Sequence, residues 1–163
     1  MKRINVILFL LISFLYSKSQ SYELAAPHKD TINMTDVNGK KQGQWIIFGR
    51  HAPSADYKPN QKISEGIYKD NRKTGVWIDY YPSGNIKNKV TFVEGRPHGP
   101  VYMYFQNGNI QEEGTWKNNR WVGNYKLTDE NGTITEKYFD DQGKEISSKI
   151  TSAKNSVPSE KSK

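Results

Sequence analysis

A pattern laid down twice at a fixed interval constrains this chain more than any other feature of its sequence. Gly75-Val76-Trp77-Ile78-Asp79-Tyr80-Tyr81-Pro82-Ser83-Gly84-Asn85-Ile86 is followed, 24 positions on, by Gly99-Pro100-Val101-Tyr102-Met103-Tyr104-Phe105-Gln106-Asn107-Gly108-Asn109-Ile110. Extended both ways, the interval keeps several columns in phase: Gly75, Gly99 and Gly123; Gly84, Gly108 and Gly132; Tyr68, Phe92 and Trp116. A fixed period in this range marks a repeat architecture, in which each unit buries its apolar face only against its neighbours. Within each unit, runs rich in Tyr, Trp, Val, Ile and Phe alternate with Gly, Asn, Asp and Pro, the signature of strands joined by hairpins. The expected fold is therefore all-β, an elongated antiparallel meander of stacked β-hairpin repeats with disordered tails.

Turn chemistry sets a register. Pro82-Ser83-Gly84-Asn85 and Gln106-Asn107-Gly108-Asn109 suit tight turns in which glycine takes positive φ. Closing them pairs Tyr81 with Ile86, Trp77 with Val90 and Gly75 with Phe92, then Phe105 with Ile110, Val101 with Gly114 and Gly99 with Trp116. In both units a ring lies opposite a glycine, an arrangement read here as shielding of bare backbone. A bulge at the turn would shift the pairs by one. One face then carries Trp77, Tyr81, Ile86, Val90, Phe92, Val101, Phe105, Ile110 and Trp116 and is read as the core side. The other carries Ile78, Tyr80, Lys87, Lys89, Tyr102, Tyr104, Gln111 and Glu113.

The period begins at Gly43 and Trp45, but the next equivalent glycine, Gly75, comes 32 positions later, so eight residues are inserted. They fall in the segment 49–62, which holds Pro53 and Pro59 and reads as an exposed loop. Residues 38–146 form the repeat domain on this reading. Residues 20–37 read as a flexible lead-in and 147–163, rich in serine and lysine, as a disordered basic tail.

Lys2-Arg3, an apolar run over residues 4–16 and small residues before a cut after Ser19 have the layout of a signal peptide, residues 1–19. The run is too short to cross about 30 Å of hydrocarbon. Export is expected, to a periplasmic or extracellular location. The chain has no cysteine, so it forms neither disulfides nor thiolate metal sites. Its formal charge is +7, but residues 21–148 hold 17 basic and 16 acidic side chains, so the folded body lacks the basic stripe that nucleic-acid recognition requires.

The Gly-x-Trp-x-x-Tyr-Tyr-x-x-Gly pattern at residues 75–84, with the opening Thr35-Asp36-Val37-Asn38-Gly39-Lys40-Lys41-Gln42-Gly43-Gln44-Trp45, resembles the MORN-repeat variant of the YwqK-type antitoxin family, and in particular its exported bacterial members. That resemblance implies a meander of antiparallel hairpins. It also implies binding, either of a toxin-like protein partner or of phospholipid in membrane apposition.

Motifs of nucleophilic, phosphate-cradling and zinc chemistry are absent from the sequence, so neither an enzyme nor a cofactor nor a metal site is expected. Asp129-Glu130-Asn131-Gly132 and Asp140-Asp141-Gln142-Gly143 cluster oxygens, but they sit at repeat turns where Asp bonds its own backbone. Two binding candidates remain. Tyr80, Tyr102 and Tyr104 beside Lys87 and Lys89 offer large rings with polar tips, which either recognise a partner or stack to stiffen the sheet. His51 and Tyr57 lie in the loop that breaks the period. Open sheet edges also invite pairing between copies of the chain.

Overall fold

The computed structural model describes residues 20–25, 30–52 and 56–152. Eleven strands follow one another in space as they do in sequence: β1 Ser21–Ala25, β2 Asp30–Thr35, β3 Lys41–Phe48, β4 Lys62–Lys69, β5 Arg72–Tyr80, β6 Ile86–Val93, β7 Arg96–Tyr104, β8 Ile110–Lys117, β9 Arg120–Thr128, β10 Ile134–Phe139 and β11 Glu145–Thr151. Every neighbouring pair is antiparallel, so the sheet is an open meander, with one 3-10 turn at Gly49–His51. The signal-peptide reading and residues 153–163 lie outside the described residues.

Two kinds of connection alternate through the central units. Asp70-Asn71, Glu94-Gly95 and Asn118-Asn119, spaced by the repeat, place both turn residues at positive φ and form the two-residue hairpins whose twist matches that of their strands. At the other end, residues 81–85 and 105–109 close five-residue turns in which Tyr81 N–H donates to Asn85 O and Phe105 N–H to Asn109 O. Gly84 and Gly108 stand at φ near +90° in these turns, where a Cβ is strained.

The expected register holds along the strand bodies. Trp77 faces Val90, Gly75 faces Phe92, Val101 faces Gly114 and Gly99 faces Trp116. Next to the turns it slips by one, because a bulge brings Tyr80, in place of Tyr81, opposite Ile86, and Tyr104, in place of Phe105, opposite Ile110. The bulge leaves Lys87 as the extra residue of β6. Gly43, Gly75 and Gly123 adopt φ near +66° to +69°. Nothing lies within 4 Å of where their Cβ would be. These glycines are therefore required by backbone conformation, and the expected shielding by rings is corrected at both of its positions: nothing lies near a Cβ on Gly75, and a Cβ on Gly99, at φ +112°, would meet Thr91 at 3.2 Å instead of a ring.

The rings cover a different column. A Cβ on Gly66 would lie 2.4 Å from the Trp77 indole, and one on Gly114 2.9 Å from Trp121. Gly66, Val90 and Gly114 are one period apart; the two glycines lie under indole rings, while Val90 pairs with Val101. Trp77 is 2% exposed and Val101 0%, the two deepest side chains described. Trp77 donates its indole N–H to Ile67 O at 3.1 Å and meets Tyr68 edge-on at 4.8 Å, while Tyr68 meets Trp45 at 5.5 Å. A second, separate run of ring contacts joins Trp116, Trp121, Tyr125 and Phe139. Lys73 lies 4.1 Å over Trp77 and 5.2 Å over Phe92, and Lys41 lies 4.5 Å over Trp45. Burial among these rings pushes the Lys73 ammonium below its ordinary value. Ile110, expected on the core side, is exposed because it lies at the turn end of β8.

The flanking segments differ from expectation. The segment read as a flexible lead-in supplies β1 and β2. Its Asn33, at φ +54°, donates to Ile46 O and accepts from Ile46 N–H, so one side-chain amide takes the part of a strand against β3. The segment read as a tail contributes Ser147 to Thr151 to β11. All seven residues of that strand are exposed, so backbone pairing with β10 orders it without side-chain burial.

Size matters at Gly66 and dihedral angle at Gly75, and substitution separates the two. Gly66→Ala is expected to destabilise by about 1–3 kcal/mol through overpacking against Trp77. Gly75→Ala should cost about 1–2 kcal/mol of left-handed strain, most of it recovered in Gly75→Asn, because Asn tolerates that region. Urea unfolding monitored by tryptophan fluorescence checks the order.

Candidate interaction face

Cross-strand pairing lines up one row of side chains across the sheet. Glu65, Ile78, Lys89, Tyr102, Glu113, Lys126, Glu136 and Lys149 are successive direct partners from β4 to β11. Because side chains alternate between faces, these eight share the face opposite Trp77 and Val101. From Glu113 onward the signs alternate, with Lys126 Nζ 3.8 Å from Glu113. Opposite charges facing one another across a sheet contribute about 0.2–1 kcal/mol per pair. Tyr102, Glu113, Lys126, Glu136, Tyr138 and Lys149 line an open concavity of about 680 Å³.

The expected tyrosine and lysine cluster falls on this face in part. Lys89 and Tyr102 are direct partners, and Lys89 Nζ stands 5.9 Å over the Tyr104 ring. Lys87, on the bulge, is exposed and lies 5.8 Å over Tyr81. Tyr80 is drawn into the structure: its hydroxyl donates a short hydrogen bond to Glu65, which also accepts from Lys62 Nζ at 2.8 Å. Tyr125 donates to Glu112 at 2.7 Å on the other face. Burial first, and then the carboxylate each one meets, push both hydroxyls above their ordinary value. Burial also raises Tyr104.

The residues expected in the inserted loop are tied down. His51 accepts from Phe48 N–H through Nδ1 at 3.2 Å, which leaves Nε2 to face Glu23 at 3.2 Å on β1. Asn33 donates to the same Glu23 carboxylate at 2.6 Å, and Arg50 lies 3.7 Å from it. Tyr57 donates its hydroxyl to Tyr80 O at 2.7 Å, as Tyr81, 24 positions on, donates to Tyr104 O at 2.6 Å. The loop thus folds back so that Tyr57 supplies the ring and hydroxyl that Tyr81 supplies in the next unit. Gly49, in line with Tyr81 by count from Gly43, has no room for a side chain, since a Cβ there would meet Lys58 O at 2.2 Å. The extra residues therefore precede Tyr57, and 57–61 belongs to the regular pattern instead of to the insertion 49–62.

Lys126, Glu136 and Lys149 were not singled out from the sequence. Carrying the register through two more hairpins would have found them. The two oxygen clusters at residues 129–132 and 140–143 are turns, as expected, since Asp129 Oδ1 accepts from Asn131 and Thr133 N–H, and Asp140 Oδ1 from Gln142 and Lys144 N–H, at 2.8–2.9 Å.

The raised tyrosines make stability depend on alkaline pH. In the folded chain Tyr80 and Tyr125 keep their protons above the value near 10 at which they ionise once unfolded. Their contribution is present in full below pH 10 and is lost as pH rises through the folded values. Chemical denaturation across pH 8–12 should show a decline in stability that is shallower in Tyr80→Phe and Tyr125→Phe, each about 1–3 kcal/mol less stable at neutral pH.

A search of curated proteins gives no match to the chain. Residues 73–94 and 97–118 each match the family model described as the MORN repeat variant. These segments cover the β5–β6 and β7–β8 hairpins, one period apart, so the central units of the chain are MORN repeats.

Proposed function

We propose that the protein is an exported, non-enzymatic repeat scaffold that binds protein partners in the cell envelope through the face bearing Lys89, Tyr102, Tyr104, Glu113, Lys126 and Glu136. The continuous cross-strand row on that face carries the proposal. It sets Tyr102, with Tyr104 two residues further along β7, beside charges of both signs along successive strands, with a shallow concavity across its β7–β11 end. Tyrosine gives contact area at low entropic cost, and alternating charge selects partners by complementarity more than it adds affinity. The MORN repeats support a binding role over a catalytic one. Export rests on the basic, apolar and small-residue order of residues 1–19.

A second reading is phospholipid binding in membrane apposition, which the repeat match also favours. Lysines on an open face attract anionic lipid, but the glutamates interleaved among them offset that attraction. Binding to an exported toxin would be a special case of the protein-partner reading.

Capture from envelope extract with the tagged mature chain, followed by mass spectrometry, tests the proposal. A specific protein should be retained by the wild type and lost with Tyr102→Ala combined with Lys126→Glu, while the melting transition moves little. Flotation of the pure protein with anionic liposomes, and not with any protein partner, would favour the lipid reading.

A further inference from the structure

The five-residue turns at one end of the sheet are tied in series by side chains that recur with the period. Between loop 57–61 and turn 81–85, Tyr57 donates to Tyr80 O and Gln61 Nε2 donates to Pro82 O. Between turns 81–85 and 105–109, Tyr81 donates to Tyr104 O at 2.6 Å and Asn85 Nδ2 to Gln106 O at 2.7 Å. At the next junction the same columns hold Phe105 and Asn109 as donors and the carbonyls of Thr128 and Glu130 as acceptors. Phe105 has no hydroxyl. No side chain reaches Thr128 O or Glu130 O among the described residues, and the Asn109 side chain has no partner there.

The junction is open where the ties fail. A concavity of about 680 Å³ lies between the two turns, lined among others by Tyr81, Phe105, Gln106, Asn109, Gln111 and Glu130. We propose that this gap is a binding site for a neutral, polyhydroxylated ligand, a short oligosaccharide, whose hydroxyl groups replace the absent tyrosine hydroxyl. The ligand would donate to Thr128 O and Glu130 O, accept from the Asn109 amide, and lay an apolar ring face against Phe105.

Chemistry at the gap selects this class. The amides of Gln106, Asn109 and Gln111 offer donors and acceptors together, which a sugar matches and a donor-only ammonium does not. Asp129 and Glu130 at the rim disfavour an anion. An aromatic wall with a few fixed polar groups suits a small ligand held in one orientation. This site lies at the turns, away from the row proposed for protein partners, and goes beyond that reading.

Titration of the 15N-labelled mature chain with maltotriose, and separately with the trimer of N-acetylglucosamine, tests the site by amide chemical shifts. Either sugar should shift amides within residues 105–111 and 128–132. Phe105→Tyr restores the third tie and closes the gap, so it should weaken binding by roughly tenfold, and Asn109→Ala, which keeps the gap but removes a donor, should weaken it less. Absence of shifts with both sugars, shifts centred elsewhere, or unchanged binding by Phe105→Tyr would overturn the proposal. The purified chain suffices for this titration, so its failure leaves the protein-partner reading untouched.

Discussion

The Trp77 indole pressed on the bare backbone of Gly66 is the contact on which the sheet depends. A sheet with no second layer has little interior to bury, and only Ile32, Ile46, Gly49, Ser64, Gly66, Trp77 and Val101 are buried among the described residues. Stability in such an arrangement comes from large side chains lying across neighbouring strands, each ring replacing the layer that a sandwich would supply. A ring needs a small residue on the strand it covers: Trp77 lies on Gly66 and Trp121 on Gly114, while in the unit between them Val90 pairs with Val101.

Much of this was legible in the sequence because the period is strict where packing is tight. The pairs Trp77 with Val90 and Val101 with Gly114 came from turn chemistry alone, and they hold because moving either strand by one residue would turn Trp77 to the opposite face. The glycine roles were not legible. Gly75 and Gly66 look alike in a sequence, yet one is needed for its dihedral angle and the other for its lack of a side chain, and only the register separates them. β1, β2 and β11 were missed for a related reason. They are held by backbone pairing and by the Asn33 amide, and neither leaves an apolar pattern.

The candidate face was half legible. Tyr102, Tyr104 and Lys89 share it as expected, but Tyr80 gives its hydroxyl to Glu65, and His51 and Tyr57 serve to anchor the inserted loop. No spacing rule distinguishes a tyrosine that recognises a partner from one that closes a turn. Here the distinction lies in whether a carbonyl or a carboxylate stands within reach. One face of the repeat thus carries the buried rings while the other displays a row of polar groups at the spacing of neighbouring strands, so packed face and polar face come from the same register.

Native-state amide hydrogen exchange on the full chain addresses the central claim most directly, since it reads local stability strand by strand. If the ring-on-glycine stack holds the sheet, protection should peak in the strands around Trp77 and Val101 and decline toward β1 and β11. Uniform protection across all eleven strands, or a maximum at either edge, would contradict it.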